Sequence, residues 1–511
     1  MPQLTKQALS QYIRSGCLRQ LALNLYPDNG TYRIARDSLG MPYPQSPRPG
    51  LRQIQAAGDE WAEEKLHDLS QTFGSAALVG DPRLTPSNQT RFQPYPLEQA
   101  IPRAIPIRFL VECDFEVGLS FQAAMGIDQY EAQFGLEYTR LRPDIVVVLP
   151  PMSFPERITP DGTVMALPPT DSRRQLRVVD IKLTAQASPG YFAEVALYSM
   201  VLAGWLTDRR LDGEFVVVPR GAVWPGSHEA STLLRFSNQA RQQGLTPAVA
   251  ELWQAMQDDL EPVPFEVFAL RIRRFLSVDL HHALSQQWQA LEWHVDNRCS
   301  FCEYLGENRG ANASPPAAPH PGHCLPAAQS LDHLSQVAFM SQGARLSLAN
   351  HPTRPIATVA DLAQRLPADS IFDEHQALRA TRTVVPERAA VLQGGNAHLA
   401  PQSGTSASMP RFANLHVYLS VDFDIGSAIT VAFGMKGWWL EPRPRNATLT
   451  TQRQNRRWPT VARIVDQRDL GAERRELLAF LREIHAALSW AQTQDEQQIR
   501  SLGVLPHDQA D

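Results

Sequence analysis

Apolar residues recur at helical spacing through residues 4–26, LTKQALSQYIRSGCLRQLALNLY, and again through 51–73, LRQIQAAGDEWAEEKLHDLSQTF. The pattern predicts two helices early in the chain. A proline-punctuated stretch over 81–106 reads as loop. The period then changes. IRFLVECDFEVGL (107–119), LRPDIVVVLP (141–150), QLRVVDIKLT (175–184) and GEFVVVPRGAV (213–223) are rich in β-branched residues and bounded by proline or glycine, so four strands are expected. Between the last two, GYFAEVALYSMVLAGWLTD (190–208) is apolar nearly all round, the mark of a buried helix. Mixed-face helices are expected over 246–293. This order predicts a mixed α/β domain whose sheet carries Asp144 and Asp180 near strand ends.

The pattern loosens after Cys324. A small helical unit follows, and 386–414 (PERAAVLQGGNAHLAPQSGTSASMPRFAN) has the composition of a linker. LHVYLSVDFDIG and SAITVAFGMKGWWL then predict a strand pair, and a Glu-, Leu- and Arg-rich helix covers 471–490. The expected division is 1–329, 330–385, a linker at 386–414, and 415–511. No fixed-period repeat is present.

Length and composition narrow the class. With 511 residues, 43% hydrophobic and 20% charged, the chain can bury a sizeable core as a soluble protein. No apolar run approaches the roughly 18 residues of a membrane span. The N-terminus lacks the apolar core of a secretion signal, so a cytoplasmic location without membrane attachment is expected. The net charge of −5 does not decide for or against nucleic acid, because acidic metal ligands can sit beside local basic patches. The densest basic stretches, LRIRRFL (270–276) and QRQNRRW (452–458), read as solvated faces. Five cysteines, an odd number, argue against a disulfide framework.

Candidate chemistry centres on Asp180-Ile181-Lys182. Residues two apart in a strand share a face, so Asp180 and Lys182 point into one space with the Ile181 carbonyl beside them. Phosphodiester hydrolysis needs an electrophilic metal, an in-line water and charge neutralisation, and hard ions such as Mg²⁺ select carboxylate and carbonyl oxygens. For the triplet alone, a salt-bridged strand end is the usual explanation. Three features add weight: Asp144 opening a strand in RPDIVVV, Glu194 and Tyr198 four apart on one helix face in EVALY, and acids in GDEWAEEKL.

These motifs resemble the PD-(D/E)XK superfamily, in particular its RecB-like exonuclease branch. Pro143-Asp144 corresponds to the PD and Asp180-Ile181-Lys182 to the D-x-K. Glu194 to Tyr198 occupies the place of a Q-x-x-x-Y motif, with glutamate where glutamine is usual. The resemblance implies a restriction-endonuclease-like core of mixed sheet and flanking helices. It further implies Mg²⁺ or Mn²⁺ held by Asp144, Asp180, the Ile181 carbonyl and a helix acid after Gly58. Glu63 is the choice for that acid, with Glu60 and Glu64 as neighbours. Lys182 would orient or deprotonate water, while Glu194 and Tyr198 would contact substrate or support the site. The activity implied is deoxyribonuclease, exonuclease-like and acting on DNA with a single-stranded end, in repair or defence against foreign DNA. The alternative is a non-catalytic DNA-binding or scaffold subunit of a helicase–nuclease complex.

Cys299-Ser-Phe-Cys302 followed by Cys324 suits Zn²⁺ or an iron–sulfur cluster, and His320 and His323 keep a zinc site open. AddB-like and CRISPR-associated exonucleases take one cysteine from the first helix and three from beyond the nuclease core. The resemblance therefore implies a structural 4Fe–4S cluster on Cys17, Cys299, Cys302 and Cys324, with 303–323 as an inserted loop. Cys113 reads as a core thiol. Residues 331–366 resemble a helix-hairpin-helix, with NHPTRPIAT at the turn. HVYLSVDFDIGSAITVAFG resembles the first hairpin of an RNase H-like, DnaQ-type fold, with Asp422 and Asp424 on one strand face. Asp495 and Glu496 are its only late carboxylates, so a degenerate or incomplete second fold is expected. The order of these parts resembles a group of RecB-like nucleases often fused to, or encoded near, a helicase.

Overall fold

The computed structural model describes residues 1–45, 51–84, 90–103, 108–226, 231–306, 319–394, 414–424, 429–441, 455–467 and 469–501. Most of the segment read as an inserted loop, and the linker beyond Gly394, lie outside these residues. The fold is mixed α/β. The chain divides into two units, the first formed by Met1–Met41 with Ile54–Trp293, the second by Pro42–Gln53 with the chain from His294.

The first unit is built on a sheet of seven strands: β1 (Leu78–Val79), β2 (Arg108–Val111), β3 (Ile145–Leu149), β4 (Arg174–Lys182), β5 (Phe215–Val217), β6 (Ala222–Pro225) and β7 (Glu261–Pro262). Across the sheet the order is β7-β6-β4-β3-β2-β1. β5 pairs with the first half of β4 and β6 with the second, both parallel. β3 pairs antiparallel with β4 and with β2. Every residue of β3, and of β4 from Gln175 to Ile181, is buried. This explains their continuous apolar runs, because strands covered on both faces lose the in–out alternation.

The N-terminal segment forms two helices rather than one, α1 (Lys6–Ser15) and α2 (Leu18–Asn24). Gly16 adopts φ 65° and donates its N–H to the Tyr12 carbonyl, ending α1 where any residue with a Cβ would be strained. Cys17 then caps α2, its sulfur accepting from Gln20 N at 3.4 Å. One sheet face packs Phe109, Val111, Ile145, Val147, Val179 and Ile181 against Leu66 and Leu69 of a long helix, α3 (Leu51–Phe73). Strand alternation turns Asp180 and Lys182 to the other face. There lies the helix α4 (Pro189–Asp208), buried from Ala193 to Leu206. A further helix, α5 (Phe265–Arg274), lies beside α4, with the Phe268 ring 5.7 Å from that of Phe192.

Helices α1 and α4 approach closely at Gly190. A Cβ built there would stand 2.7 Å from Ser10 Oγ and 3.2 Å from the Ser10 carbonyl. Gly190→Ala is expected to push the helices apart and lower stability by about 1–3 kcal/mol, the usual cost of overpacking. Denaturant melts with an unchanged m-value but a lower midpoint would report it. A midpoint equal to wild type would show that Ser10 yields freely.

The second unit resumes at His294, whose Nε2 lies 2.8 Å from the Met340 carbonyl. The cysteine segment groups with this unit. Gln45 N donates to the Glu303 carbonyl, and Cys324 N and Leu325 N donate to the Tyr304 and Leu305 carbonyls. Helices α6 (Gln342–Ala349) and α7 (Val359–Ala363) flank the NHPTRPIAT turn. A separate core, including Leu348, Ile356, Val359, Leu362 and Phe372, holds them. Beyond the linker, β8 (Leu415–Asp424), β9 (Ile429–Leu440) and β10 (Asn455–Ile464) form an antiparallel sheet in that order. Helix α8 (Leu470–Ser501) covers one face, stacking Phe480 on Phe433. The third strand, β10, replaces what had read as a solvated basic stretch. Its edge position lets Arg457 stay exposed while Trp458 packs toward Trp490.

Candidate active site

Several segments of the first unit bring polar groups to the α4 side of the sheet. Asp144 immediately precedes β3, and its Oδ2 accepts a hydrogen bond from Ile181 N at 2.5 Å. The carboxylate is thereby tied to the backbone between Asp180 and Lys182. Asp180 is fully buried in β4. Lys182 Nζ stands 2.5 Å from Asp180 Oδ2 and 3.9 Å from Glu194 Oε2. Glu194 and Tyr198, one turn apart on α4, close the site from above.

Two residues that the motifs did not single out complete it. Lys6, in the first turn of α1, donates to the Tyr198 hydroxyl at 2.5 Å and lies 4.0 Å from Glu194. Glu112 follows β2 with φ 51°, in the left-handed region. Its N–H donates to the Asp144 carbonyl at 3.0 Å, and its carboxylate pairs with Arg142 at 3.0 Å. Each left a trace in the sequence. Lys6 puts a cation at a helix N-terminus, where the helix dipole disfavours one, so an outside partner is implied. Glu112 interrupts an apolar strand run.

The electrostatics follow from carboxylates crowded into a dry space. Burial, and then the Asp180 charge, push the Asp144 carboxyl up to about 8. Burial would raise Asp180 as well, but Lys182 and Lys6 outweigh it and hold that carboxyl below its ordinary value. Burial would neutralise Lys182, yet Asp180, Asp144 and Glu194 hold it charged well above its usual range. Burial, then Asp180, raises Glu194. Glu112 is raised chiefly by burial, and Tyr198 by burial followed by Asp180 and Glu194.

Both Asp180 oxygens are buried without a well-formed hydrogen bond, although Lys182 is close to one of them. Two neighbouring carboxyls, Asp180 fully buried and Asp144 half-buried, fit a hard divalent cation, which takes one or two carboxylates and completes its shell with water and phosphate. No group of three or more His, Cys, Asp or Glu side chains forms a metal cage among the described residues. That argues against an all-protein cage here, not against such an open site.

Glu63 is not brought to this cluster. It sits on α3, the helix packed against the opposite sheet face, and pairs with Arg91 at 3.2 Å. The spacing after Gly58 identified a helix acid but could not say which sheet face the helix covers. Among the cysteines, Cys302 N donates to the Cys299 carbonyl at 2.9 Å, making a tight turn, and Cys324 N donates to the Tyr304 carbonyl; among the described residues the cysteines do not form a group that could hold a metal ion. Burial raises the Cys299 thiol. Cys17 belongs to the first unit and the other three to the second. Cys113 is buried in the core and its thiol is pushed up to about 12, chiefly by burial. In the last sheet, Asp495 accepts from Trp439 Nε1 at 2.7 Å and Glu496 from Gln492 at 3.1 Å, both bonds internal to that layer. The side chain of Asp424 lies outside the described residues.

Comparison with protein-family models, curated proteins and solved structures returned no match. The chemistry of the site is therefore defined by its own geometry. No helix among the described residues is long and apolar enough to cross a membrane.

Proposed function

We propose that the first unit is a PD-(D/E)XK-type, metal-dependent nuclease that hydrolyses DNA phosphodiester bonds, acting on single-stranded ends in repair or defence against foreign DNA. The observation that carries this reading is the pair Asp144 and Asp180 in one site, Asp180 fully buried with Lys182 against it and Asp144 tied to the Ile181 amide. Asp144, Asp180 and the Ile181 carbonyl are the groups that would hold Mg²⁺ or Mn²⁺. A bound divalent ion would supply Lewis acidity toward the phosphate and a lowered pKa for water. Lys182 stays protonated among three acids, so it is suited to neutralise charge and orient water rather than to act as a base. Tyr198 is a neutral phenol held by Lys6, and Glu194 balances the two lysines. Glutamate at this position is thus part of a charge network.

Incubation with labelled single- and double-stranded DNA plus Mn²⁺ tests the proposal. Cleavage that EDTA abolishes is expected. No cleavage on any substrate would overturn it in favour of the non-catalytic scaffold of a helicase complex, a reading favoured by the ion pairs that already occupy Lys182.

We further propose that Cys17, Cys299, Cys302 and Cys324 hold a structural 4Fe–4S cluster, a reading supported by the C-x-x-C spacing and the tight Cys299–Cys302 turn. Protein purified anaerobically is expected to be brown and to contain iron. A colourless protein with stoichiometric zinc would replace the cluster with the zinc alternative.

A further inference from the structure

We propose that the face of the β8–β9–β10 sheet turned away from α8 binds single-stranded nucleic acid through aromatic stacking. Among the described residues, helix α8 covers one face of this sheet. Trp439, Phe433 and Met435 point to the helix, and Trp439 is bonded to Asp495 there. Alternation places Trp438, Lys436 and Gly434 on the other side.

The strand register then builds rows on that face. His416, Trp438 and Arg457 lie side by side across the three strands. In the next row Tyr418 stands opposite Lys436. Tyr418 is 57% exposed, Lys436 and Arg457 are exposed, and the Tyr418 and Trp438 rings meet edge to face at 5.2 Å. Ser420, Gly434 and Ala462 form a third row without bulk. Asp422 lies on the same face one row further along.

Two aromatic rings on a sheet face offer surfaces on which bases stack, and flanking cations track the phosphates. The cations lie in the two rows that carry the rings, while the acid lies at the far end. This charge pattern selects a polyanion with exposed aromatic faces over an apolar or basic partner. Paired bases hide their faces, so the platform favours single strands over duplex. The platform does not depend on hydrolysis in the first unit, because it uses other residues and is read by binding.

The test uses the full chain carrying the shape-preserving Asp180→Asn, in EDTA, so that the candidate hydrolytic site is silenced. Fluorescence anisotropy would follow labelled oligo-dT, oligo-rU and a duplex of equal length. Tyr418→Ala and Trp438→Ala are each expected to weaken single-strand binding about tenfold, and Tyr418→Phe to retain it. Lys436→Gln with Arg457→Gln is expected to flatten the salt dependence by roughly 1.4 in log–log slope, about 0.7 for each phosphate contact. Tyr418 is surface-exposed, so its variant keeps the test valid should Trp438→Ala unfold the sheet. Binding of Tyr418→Ala within twofold of the parent would overturn the proposal. So would a parent that binds no single strand, or a face whose variants lose only a protein partner.

Discussion

Asp180→Ala is expected to reduce Mn²⁺-dependent DNA cleavage by about three orders of magnitude, the scale lost when a preorganised electrostatic group leaves a dry site. Asp180 is the centre of the cluster. It is fully buried, it touches Lys182, and it is a principal charge acting on Asp144, Glu194 and Tyr198. Removing it takes away a metal-binding carboxylate and leaves Lys182 without its nearest partner. The fold also responds, because a buried charge stripped of its counter-ion costs about 3–5 kcal/mol before Asp144 and Glu194 compensate. Circular dichroism and melting curves must therefore accompany the assay. Asp180→Asn, which keeps the shape, separates the two effects. Folded Asp180→Asn with unchanged cleavage would remove Asp180 from the active site.

The second large effect is on stability. Metal-free protein is expected to lose stability as pH rises from about 5 to about 8, and Mn²⁺ to restore it. Asp144 carries the sign. Its folded pKa, about 8, exceeds that of an unfolded aspartate, so within this window the native state holds a proton that the unfolded state has released. Stability then falls with rising pH until Asp144 ionises. Glu194 and Glu112, also raised, act in the same direction. Asp180 is lowered, so its contribution is lost only as pH falls below the ordinary carboxylate range, outside the window. A tenfold difference in proton affinity between the folded and unfolded chain corresponds to about 1.4 kcal/mol, so a loss of a few kcal/mol is expected. Mn²⁺ at 100 times its dissociation constant returns about 2.7 kcal/mol by mass action. Thermal melts across this pH range with and without Mn²⁺ check it. A melting temperature that is flat with pH, or indifferent to Mn²⁺ at pH 8, would contradict a carboxylate pair awaiting a cation.

The parts of this site that were legible in the sequence are local. RPDIVVV and RVVDIKL announce strands because their β-branched residues are buried on both faces, and Asp180 and Lys182 share a side by strand geometry alone. Glu194 and Tyr198 follow from helical spacing. What was not legible depends on topology. Lys6 reaches Tyr198 across 192 residues, and Glu112 is positioned by the pairing of β2 with β3. Glu63 was assigned by spacing, but only packing decides which sheet face α3 covers, and it covers the other one. Gly16 breaks a continuous helical pattern because a positive φ overrides apolar periodicity. β10 was hidden because Arg456, Arg457 and Pro459 mask the alternation of an edge strand.

Among the described residues, β8 has a neighbour on one side only, β9. Leu419, Val421 and Phe423 on its helix-facing side are each about half exposed, as are Leu481 and Leu488 of α8. An edge strand next to exposed apolar side chains forms a template for another strand. Concentration-dependent self-association through this edge is the expected result, and sedimentation velocity over a concentration series checks it. A lysine at Val421 would act as a gatekeeper without touching the charge network around Asp180.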